Sequence, residues 1–265
     1  MDHSSTQLGL GLIGIGRPWG RVPHAVPSES EALALLEFAF ELGIRYFDTA
    51  PSYGDTVSEM RLGRFARSRA PARRAQITVA TKFGEHWNGG TGEPYADHSF
   101  DALRRSLDAS LERLGRIDIL QLHKTTPAAL ASADVARAFE YARSLGIERT
   151  GPSVSDLESA RIAIEAGYSV IQLPYNRENT AFGAAIDAAA ARGMWIAANR
   201  PLAMGALAGS TRDAFRFVLE RRFSGAILTG TTSQDHLREN WEAFQATLHP
   251  TQPSAPHETS PARGA

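Results

Sequence analysis

Apolar and polar positions divide most of the chain into short continuous apolar segments that alternate with amphipathic ones. Continuous apolar strands are covered on both faces, which is typical of a parallel sheet, whereas a half-exposed strand alternates apolar and polar positions. We predict strands, in chain order, over 8–16, 44–48, 76–82, 117–123, 147–154, 169–176, 194–199 and 225–230. Apolar positions at helical spacing predict helices over 28–43, about 56–69, 98–115, about 132–146, 155–167, about 180–192, about 211–222 and about 234–247.

The helix over 28–43 has recognisable ends in addition to its apolar spacing. Ser28 is suited to the N-cap position, and Glu31, three residues later, can complete a capping box. Gly43 is suited to ending the helix. The bounds of this helix are therefore predicted from side-chain chemistry as well as from periodicity.

Eight strand–helix pairs in about 250 residues predict a closed (β/α)8 barrel, the TIM barrel, as the α/β fold. The length of 265 residues would also permit two small domains, and a doubly wound open sheet is the competing arrangement. Glycines follow the first strand in GLIGIGRPWG, as in the phosphate-binding turn of an open sheet, but Pro18 and Trp19 come next instead of a helix start. We predict one barrel over 1–248 and a disordered tail, rich in Pro, Ser and Thr, over 249–265.

Composition and charge exclude several classes of protein. The net charge of −1 gives no indication of nucleic-acid binding or of attraction to an anionic membrane. The chain has no cysteine, which excludes disulfides and cysteine-based metal or thiol chemistry, and we predict no metal site. No basic segment followed by a long apolar one opens the chain, and no apolar run reaches the roughly 18–20 residues of a membrane span. We therefore expect a soluble cytoplasmic protein.

Polar side chains stand at the ends of three successive predicted strands. Asp48 ends the second strand, Lys82 the third and His123 the fourth, while Tyr53 lies in the loop after Asp48. Each of these residues alone has a common structural explanation, such as a turn former, a solvated lysine or a packed histidine. The carboxyl ends of barrel strands meet at one rim, however, where active sites of such barrels lie, so the joint placement favours a functional site.

These four side chains can carry out proton transfer to a developing alkoxide. A phenol ordinarily has a pKa of about 10, and a nearby ammonium lowers that value. Asp48 can keep Lys82 charged and oriented, so we expect Lys82 to lower the pKa of Tyr53 and make it a proton donor near neutral pH. His123 can hydrogen-bond the oxygen that receives the proton. None of these groups supplies a hydride, which implies a nicotinamide cofactor.

Seven segments of the chain resemble those of the aldo-keto reductase family, in the family's order and over roughly residues 8–245. They are GIRYFDTAPSYGD, VATKFG, SFDALRRSLDASLERLGRIDILQLH, GPSV, VIQLPYN, RPLAMGALAG and ILTGTTSQDHLREN. The resemblance implies a (β/α)8 barrel, in agreement with the strand count. It also implies that Asp48, Tyr53, Lys82 and His123 match the catalytic tetrad of the family, with Tyr53 as general acid in reduction and general base in oxidation.

The resemblance also implies a site for the dinucleotide. Ser153 and Gln172, at the ends of the fifth and sixth strands, match residues that hydrogen-bond the nicotinamide carboxamide, and hydroxyl residues before the last helix can bind phosphate or simply cap that helix. The remaining cofactor candidates are Arg200, Pro201, Leu202, Gly205, Gly230, Thr231, Thr232, Ser233, His236, Glu239 and Asn240. NADP(H) is the usual cofactor of the family. Gly230 and His236 replace cations that clamp its 2′-phosphate, so NAD(H) stays an alternative.

Two further departures from the family bear on the nicotinamide ring. Val154 stands where many members have Asn, and Asn199 and Arg200 stand where many members stack an aromatic ring. Arg200 can instead spread over or beside the nicotinamide.

We expect an NAD(P)H-dependent enzyme that reduces an aldehyde or ketone to an alcohol, or catalyses the reverse. A dinucleotide-binding regulatory or auxiliary subunit, and a redox-neutral cyclase or isomerase, stay as alternatives. Trp19 and the loop over 83–98, with His86, Trp87 and Tyr95, can line a pocket for an apolar, bulky carbonyl compound or can be surface aromatics. The partner is then a small molecule, and the sequence does not indicate an oligomeric state.

Overall fold

The computed structural model describes residues 6–20 and 24–249, and ten strands lie within them. Eight are barrel strands, and the other two, β4 and β5, pair as a hairpin. The strands are β1 Thr6–Gly11, β2 Tyr46–Asp48, β3 Thr78–Phe83, β4 Glu85–Asn88, β5 Glu93–Ala96, β6 Ile119–Leu122, β7 Arg149–Pro152, β8 Val170–Pro174, β9 Trp195–Asn199 and β10 Gly225–Thr229. The predicted tail, 249–265, lies outside the described residues apart from His249.

Ten α-helices lie within the described residues, and none of them is both long enough and apolar enough to cross a lipid bilayer. They are α1 Glu29–Leu42, α2 Val57–Arg67, α3 Pro71–Arg74, α4 Phe100–Leu114, α5 Pro127–Leu130, α6 Ala133–Ser144, α7 Leu157–Glu165, α8 Gly183–Ala191, α9 Thr211–Leu219 and α10 Gln234–Leu248. The sequence pattern did not predict α3 or α5, since one helical turn is too short to show a period. Three 3₁₀ turns complete the described structure, at Ile13–Ile15, Ala203–Gly205 and Ala208–Ser210.

The barrel strands are all parallel, in the order β7-β6-β3-β2-β1-β10-β9-β8. The first and last strands of that order meet at a parallel bridge between Ser153 and Gln172, which brings the sheet round into a barrel. The Val154 amide also donates to the Gln172 carbonyl at 2.8 Å. The predicted (β/α)8 barrel is therefore confirmed, and the open doubly wound alternative is wrong.

Two apolar cores stabilise the barrel. The larger one lies between strands and helices, and the smaller one groups seven buried side chains that lie on barrel strands. In the smaller core, Tyr46 packs against Trp195 with ring centroids 4.8 Å apart, and the other positions are mostly small or aliphatic. Gly9 is needed here, since a Cβ at this position would lie 2.6 Å from the Tyr46 ring. Each of β2, β3, β6, β8, β9 and β10 contributes to both cores, which is why these strands read as continuous apolar segments.

Helix α1 has the ends that its sequence predicts. The Ser28 side chain accepts from the Glu31 amide while the Glu31 carboxylate accepts from the Ser28 amide, which completes the capping box. Gly43 ends the helix with a φ of 111°, in the left-handed region that glycine adopts at little cost. The predicted N-cap, its partner and the stop are confirmed.

Two predicted segments differ from the structure near the rim. The strand predicted over 8–16 ends at Gly11, because a 3₁₀ turn at Ile13–Ile15 redirects the chain. The segment over 83–98, predicted as a loop, forms the antiparallel hairpin of β4 and β5. The turn of the hairpin is set by Asn88, whose Oδ1 accepts from the Gly90 amide at 2.9 Å.

Candidate active site

The Asp48 carboxylate and the Lys82 ammonium form a buried ion pair at the rim of the barrel. Asp48 is the last residue of β2, and Lys82 is the penultimate residue of the neighbouring β3. Lys82 Nζ lies 2.5 Å from Asp48 Oδ1 and donates to the Thr49 carbonyl at 2.9 Å, and both charged side chains are 5% exposed or less. Burial lowers the pKa of Lys82, but Asp48 and Tyr53 more than offset this, so the net pKa of the lysine is raised. The lysine is therefore charged at neutral pH.

The loop after β2 holds Tyr53 against the 3₁₀ turn that follows β1. Gly16 and Gly54 face each other here, since a Cβ on Gly54 would lie 1.8 Å from the Gly16 carbonyl oxygen. Three consecutive residues in this loop, Gly54, Asp55 and Thr56, have φ between 48° and 71°. Left-handed backbone at two non-glycine positions is costly and persists where the surroundings enforce it. The loop that carries Tyr53 is therefore tightly constrained.

Tyr53 lies beside both Lys82 and His123. Lys82 Nζ is 5.0 Å from the centroid of the Tyr53 ring, and the Tyr53 and His123 rings meet edge to face with centroids 6.1 Å apart. The pKa of the Tyr53 phenol is raised, because burial outweighs the lowering effect of Lys82. The expectation that Lys82 brings this pKa below its ordinary value is therefore wrong. The phenol is protonated at neutral pH and can donate a proton.

His123 directly follows β6, and a glutamate that the sequence interpretation missed lies next to it. Glu85, at the start of β4, is 2% exposed and places Oε2 at 2.9 Å from His123 Nδ1. The contact is close, although a proton on Nδ1 would not point directly at the carboxylate oxygen. Burial lowers the pKa of His123, the Glu85 carboxylate opposes this, and the net pKa is lowered.

Glu85 has two further partners besides His123. The Ser52 hydroxyl donates to Oε2 at 2.5 Å, and Lys124 Nζ lies 3.1 Å from Oε1. Burial raises the pKa of the Glu85 carboxyl, but His123, Ser52 and Lys124 outweigh this and hold the pKa far below its ordinary range. A sequence signal was present, since Glu85 is a charged residue three positions after Lys82 in TKFGEHW.

Ser153 and Gln172 lie together, on the opposite side of Asp48 from Lys82. The Ser153 hydroxyl donates to Gln172 Oε1 at 2.9 Å, and Gln172 Nε2 donates to Asp48 Oδ2 at 3.2 Å. Ser153 follows β7 as predicted, whereas Gln172 lies two residues inside the end of β8. The side chains predicted to hold a carboxamide are thus joined to the ion pair through hydrogen bonds.

The phosphate-binding candidates lie between β10 and the N-terminus of α10. Ser233 is the N-cap of α10, since its hydroxyl accepts from the His236 amide at 3.3 Å. Thr231 accepts from the Ser233 amide at 3.1 Å, while Gly230 and His236 are exposed and Thr232 is partly exposed. The segment between β10 and α10 is therefore consistent both with a phosphate site and with a simple helix cap.

The other cofactor candidates lie along the same rim. Arg200, just after β9, is exposed and has a φ of 58°. On α10, Glu239 is exposed and Asn240 is buried. The remaining three follow β9, and they are Pro201, Leu202 and Gly205.

The predicted substrate-lining aromatics lie on the β4–β5 hairpin and on the loop after β1. The His86 and Tyr95 rings face each other across the hairpin at 5.4 Å, and Trp87 is partly exposed. Trp19 is 39% exposed and lies 5.6 Å from the Arg17 guanidinium. Among the described residues, no three His, Asp or Glu side chains gather closely enough to hold a metal ion.

Comparisons with known proteins point to one family. A model of the aldo/keto reductase family matches residues 7–215. Among curated proteins, the chain is 36% identical over 174 residues to a D-threo-aldose 1-dehydrogenase of a Pseudomonas species, and 39% identical over 122 residues to the L-galactose dehydrogenase of Arabidopsis thaliana. The matches cover 56% and 45% of this chain, and they span 50% and 36% of those two relatives.

A solved structure is similar over nearly the whole chain. It is a Pseudomonas aeruginosa protein assigned to the aldo-keto reductases, 28% identical, with a TM-score of 0.79 and 93% coverage of both chains.

Proposed function

This chain belongs to the aldo/keto reductase family, and we propose that it is an oxidoreductase that interconverts a carbonyl compound and an alcohol with a nicotinamide dinucleotide. The observation that carries the proposal is the buried Lys82–Asp48 pair at 2.5 Å beside the Tyr53 ring. A barrel that only bound a dinucleotide would have no need of a buried ammonium next to a protonated phenol. Burying such a pair is costly unless its partners are well placed, which supports a role beyond stability.

The residues on the rim fit a nicotinamide dinucleotide. Ser153 and Gln172 provide a hydroxyl and an amide, which can both donate to and accept from a carboxamide. Asn199 Oδ1, at the end of β9, is buried without a hydrogen-bond partner in the described structure, and a ligand amide would satisfy it. The first turn of α10 has backbone N–H groups that no i−4 carbonyl accepts, and these favour a phosphate, although that of His236 donates to the Ser233 hydroxyl.

The chain's own residues handle the proton. When bound, the nicotinamide supplies or accepts the hydride. In reduction, the Tyr53 hydroxyl donates its proton to the oxygen of the former carbonyl group, and the Lys82 ammonium stabilises the phenolate that forms. Asp48 keeps Lys82 oriented through their 2.5 Å contact. His123 lies on the same rim and contacts the reacting oxygen. The reverse sequence serves alcohol oxidation.

The substrate proposal draws on the hairpin and on the relatives' names. Two relatives are named as dehydrogenases of sugars, L-galactose and a D-threo-aldose. The partly exposed aromatics of the hairpin and the loop after β1 can pack on the apolar face of a sugar or on a bulky apolar carbonyl compound. A substrate panel should therefore contain aldoses as well as aromatic and aliphatic carbonyl compounds.

The test of the proposed function is turnover by a Tyr53→Phe variant. Purified protein is incubated with NADH or NADPH and the carbonyl panel, and with NAD⁺ or NADP⁺ and aldoses, while absorbance of the reduced nicotinamide is followed. We expect Tyr53→Phe to lower kcat by about 10²-fold or more, with the dissociation constant of the dinucleotide nearly unchanged.

Tyr141→Phe is the matched control, because it removes the same hydroxyl group away from the rim, where Tyr141 donates to Asp108 at 2.7 Å. We expect this variant to keep its turnover. Full activity in Tyr53→Phe would contradict the proton-transfer role. Failure of the wild type to bind either dinucleotide would contradict the oxidoreductase proposal as a whole.

The choice of dinucleotide is a separate proposal. NADP(H) is the expected cofactor, and NAD(H) stays the alternative because few cations surround the first turn of α10. His236 is exposed there, and Arg238 is already paired with Asp235 at 3.2 Å. Titration with NADPH and with NADH gives the two dissociation constants. Tighter binding of NADPH would show that the 2′-phosphate adds affinity and would support NADP(H).

A further inference from the structure

Glu85 joins two parts of the rim that the proposed reaction uses. Its carboxylate accepts from Ser52, the neighbour of Tyr53, and lies 2.9 Å from His123 Nδ1. Tyr53 and His123 are thereby tied to one buried carboxylate, although they come from loops after different strands. A fully buried carboxylate is costly unless several groups stabilise it, and Glu85 has three such partners, including Lys124 at 3.1 Å.

We propose that Glu85 is a positioning residue for His123: it holds the Nδ1 side of the imidazole and keeps a proton on that nitrogen, so that Nε2 is left for the reacting oxygen. The proposal rests on the proposed function. Nδ1, rather than Nε2, is the ring nitrogen beside the Glu85 carboxylate, although its N–H would not point straight at the carboxylate oxygen. A lone pair on Nδ1 would lie 2.9 Å from a negative charge, and for this reason a proton belongs there.

The base of the hairpin also fixes the backbone of His123. The His123 amide donates to the Phe83 carbonyl at 2.8 Å, and the His98 ring bonds the His123 carbonyl oxygen at 2.9 Å. The Asp97 amide donates to the Gly84 carbonyl at 3.1 Å, which closes the hairpin at its base. The ring and the backbone of His123 are therefore both held by residues that begin and end the β4–β5 hairpin.

This arrangement gives the reaction a specific pH dependence. With Nδ1 protonated, Nε2 can donate to a carbonyl oxygen only when the imidazole is positively charged, and it accepts from an alcohol hydroxyl when the imidazole is neutral. Lys82 and Lys124 disfavour the charged imidazole, burial does so as well, and Glu85 favours it. Tyr53, the remaining titratable group against the ring, has a raised pKa and stays neutral.

Reduction should accordingly decline as the pH rises through the His123 pKa, and removal of the Glu85 charge should move this decline to lower pH. We expect Glu85→Gln to shift the decline in kcat/KM by about one pH unit, since a nearby opposite charge moves a pKa by roughly 1–3 units. On the declining side, such a shift lowers kcat/KM for reduction about tenfold at a fixed pH.

The experiment combines pH profiles with the nitrogen NMR spectrum of ¹⁵N-histidine-labelled protein, in which His123 is assigned from its loss in His123→Asn. In the wild type we expect Nδ1 of His123 to carry the proton, and in Glu85→Gln we expect the tautomers to mix. Glu93→Gln is the matched control, because Glu93 lies on the same hairpin but is exposed. We expect this control to leave both the spectrum and the profile unchanged.

Glu85→Asp keeps the negative charge and should restore part of the wild-type pH profile. If Glu85 had only a structural role, no such restoration of the pH profile would be expected. If Glu85→Gln does not fold, the test is made by comparing the pH profiles and nitrogen spectra of Glu85→Asp and the wild type. An unprotonated Nδ1 in the wild type would overturn the proposal, as would a Glu85→Gln profile within 0.3 pH units, on the order of measurement error, of the wild type. The NMR result needs no turnover, so it separates failure of this proposal from failure of the proposed function.

Discussion

Replacement of Lys82 by methionine tests the ion pair on which the candidate site depends. Methionine keeps an unbranched side chain one heavy atom shorter and removes the ammonium, so Asp48 loses its partner at 2.5 Å while it stays buried. Gln172 still donates to Asp48 at 3.2 Å, and Gln121 makes a long contact of 3.4 Å. The variant therefore leaves a buried carboxylate with amide donors but without a compensating charge.

The expected loss of stability follows from this geometry. Removal of one partner from a buried pair typically costs about 3–5 kcal/mol, and because the amide donors remain, we expect a loss of about 3 kcal/mol for this variant. For a chain of this size, that loss lowers Tm by about 6–12 °C. The raised pKa of Lys82 means that its contribution is present below the unfolded value of 10.5 and is lost as the pH rises through the folded pKa. A measurement at pH 7 therefore reports the full effect.

The assay is urea unfolding of four proteins: wild type, Lys82→Met, Asp48→Asn and the double variant. We expect the double variant to be at least about 1 kcal/mol more stable than the two single losses added together, because a neutral pair leaves no buried charge. Lys124→Met is a control for stability, since Lys124 is 57% exposed and its pair with Glu85 should contribute less than about 1 kcal/mol. Additive losses, or a Lys82→Met loss as small as that of Lys124→Met, would refute the buried-pair argument.

Two further predictions concern the backbone of the Tyr53 loop and the pH dependence of stability. Gly54→Ala should lower both Tm and turnover, since the φ of Gly54 is 70° and a Cβ would lie 1.8 Å from the Gly16 oxygen. Gly89→Ala, with open space around it, should change neither, and wild-type activity in Gly54→Ala would show that the Tyr53 loop is not constrained there. The pKa of Glu85 is lowered in the fold, so its contribution is present above pH 4.5 and is lost as the pH falls below that unfolded value. The Tm difference between wild type and Glu85→Gln should therefore shrink between pH 7 and pH 3, and a constant difference would contradict the ion pairing of Glu85.

The barrel could be predicted from the sequence because each barrel strand is buried on two faces. The continuous apolar segments around Phe47, Leu120 and Ile171 reflect that double burial, and the cap residues Ser28 and Gly43 fix the ends of a helix locally. The hairpin over 85–96 was not predicted, because its residues are mostly exposed or partly exposed and therefore show no apolar periodicity.

The candidate site was predictable only in part, for a related reason. Strand ends meet at one rim by topology, so Asp48, Lys82 and His123 could be placed together without coordinates. Glu85 could not be assigned to the site from the sequence, because its burial depends on the hairpin and on three partners that come from other segments of the chain. The direction in which the pKa of Tyr53 is shifted could not be predicted from the sequence either. It depends on whether burial or Lys82 has the larger effect, and only the packing determines this.

That balance bears on what the ammonium does in the resting site. Burial raises the pKa of Tyr53 by more than Lys82 lowers it, so the phenol keeps its proton across the neutral range. The lysine therefore does not prepare a phenolate in advance. In the proposed reaction, the lysine acts when the proton leaves, because negative charge then develops on the phenol oxygen next to a fixed ammonium in surroundings of low polarity, where such an interaction is strongest. In the proposed reaction, the protonated Tyr53 of the resting site is ready to donate its proton in carbonyl reduction, whereas alcohol oxidation first requires that proton to depart.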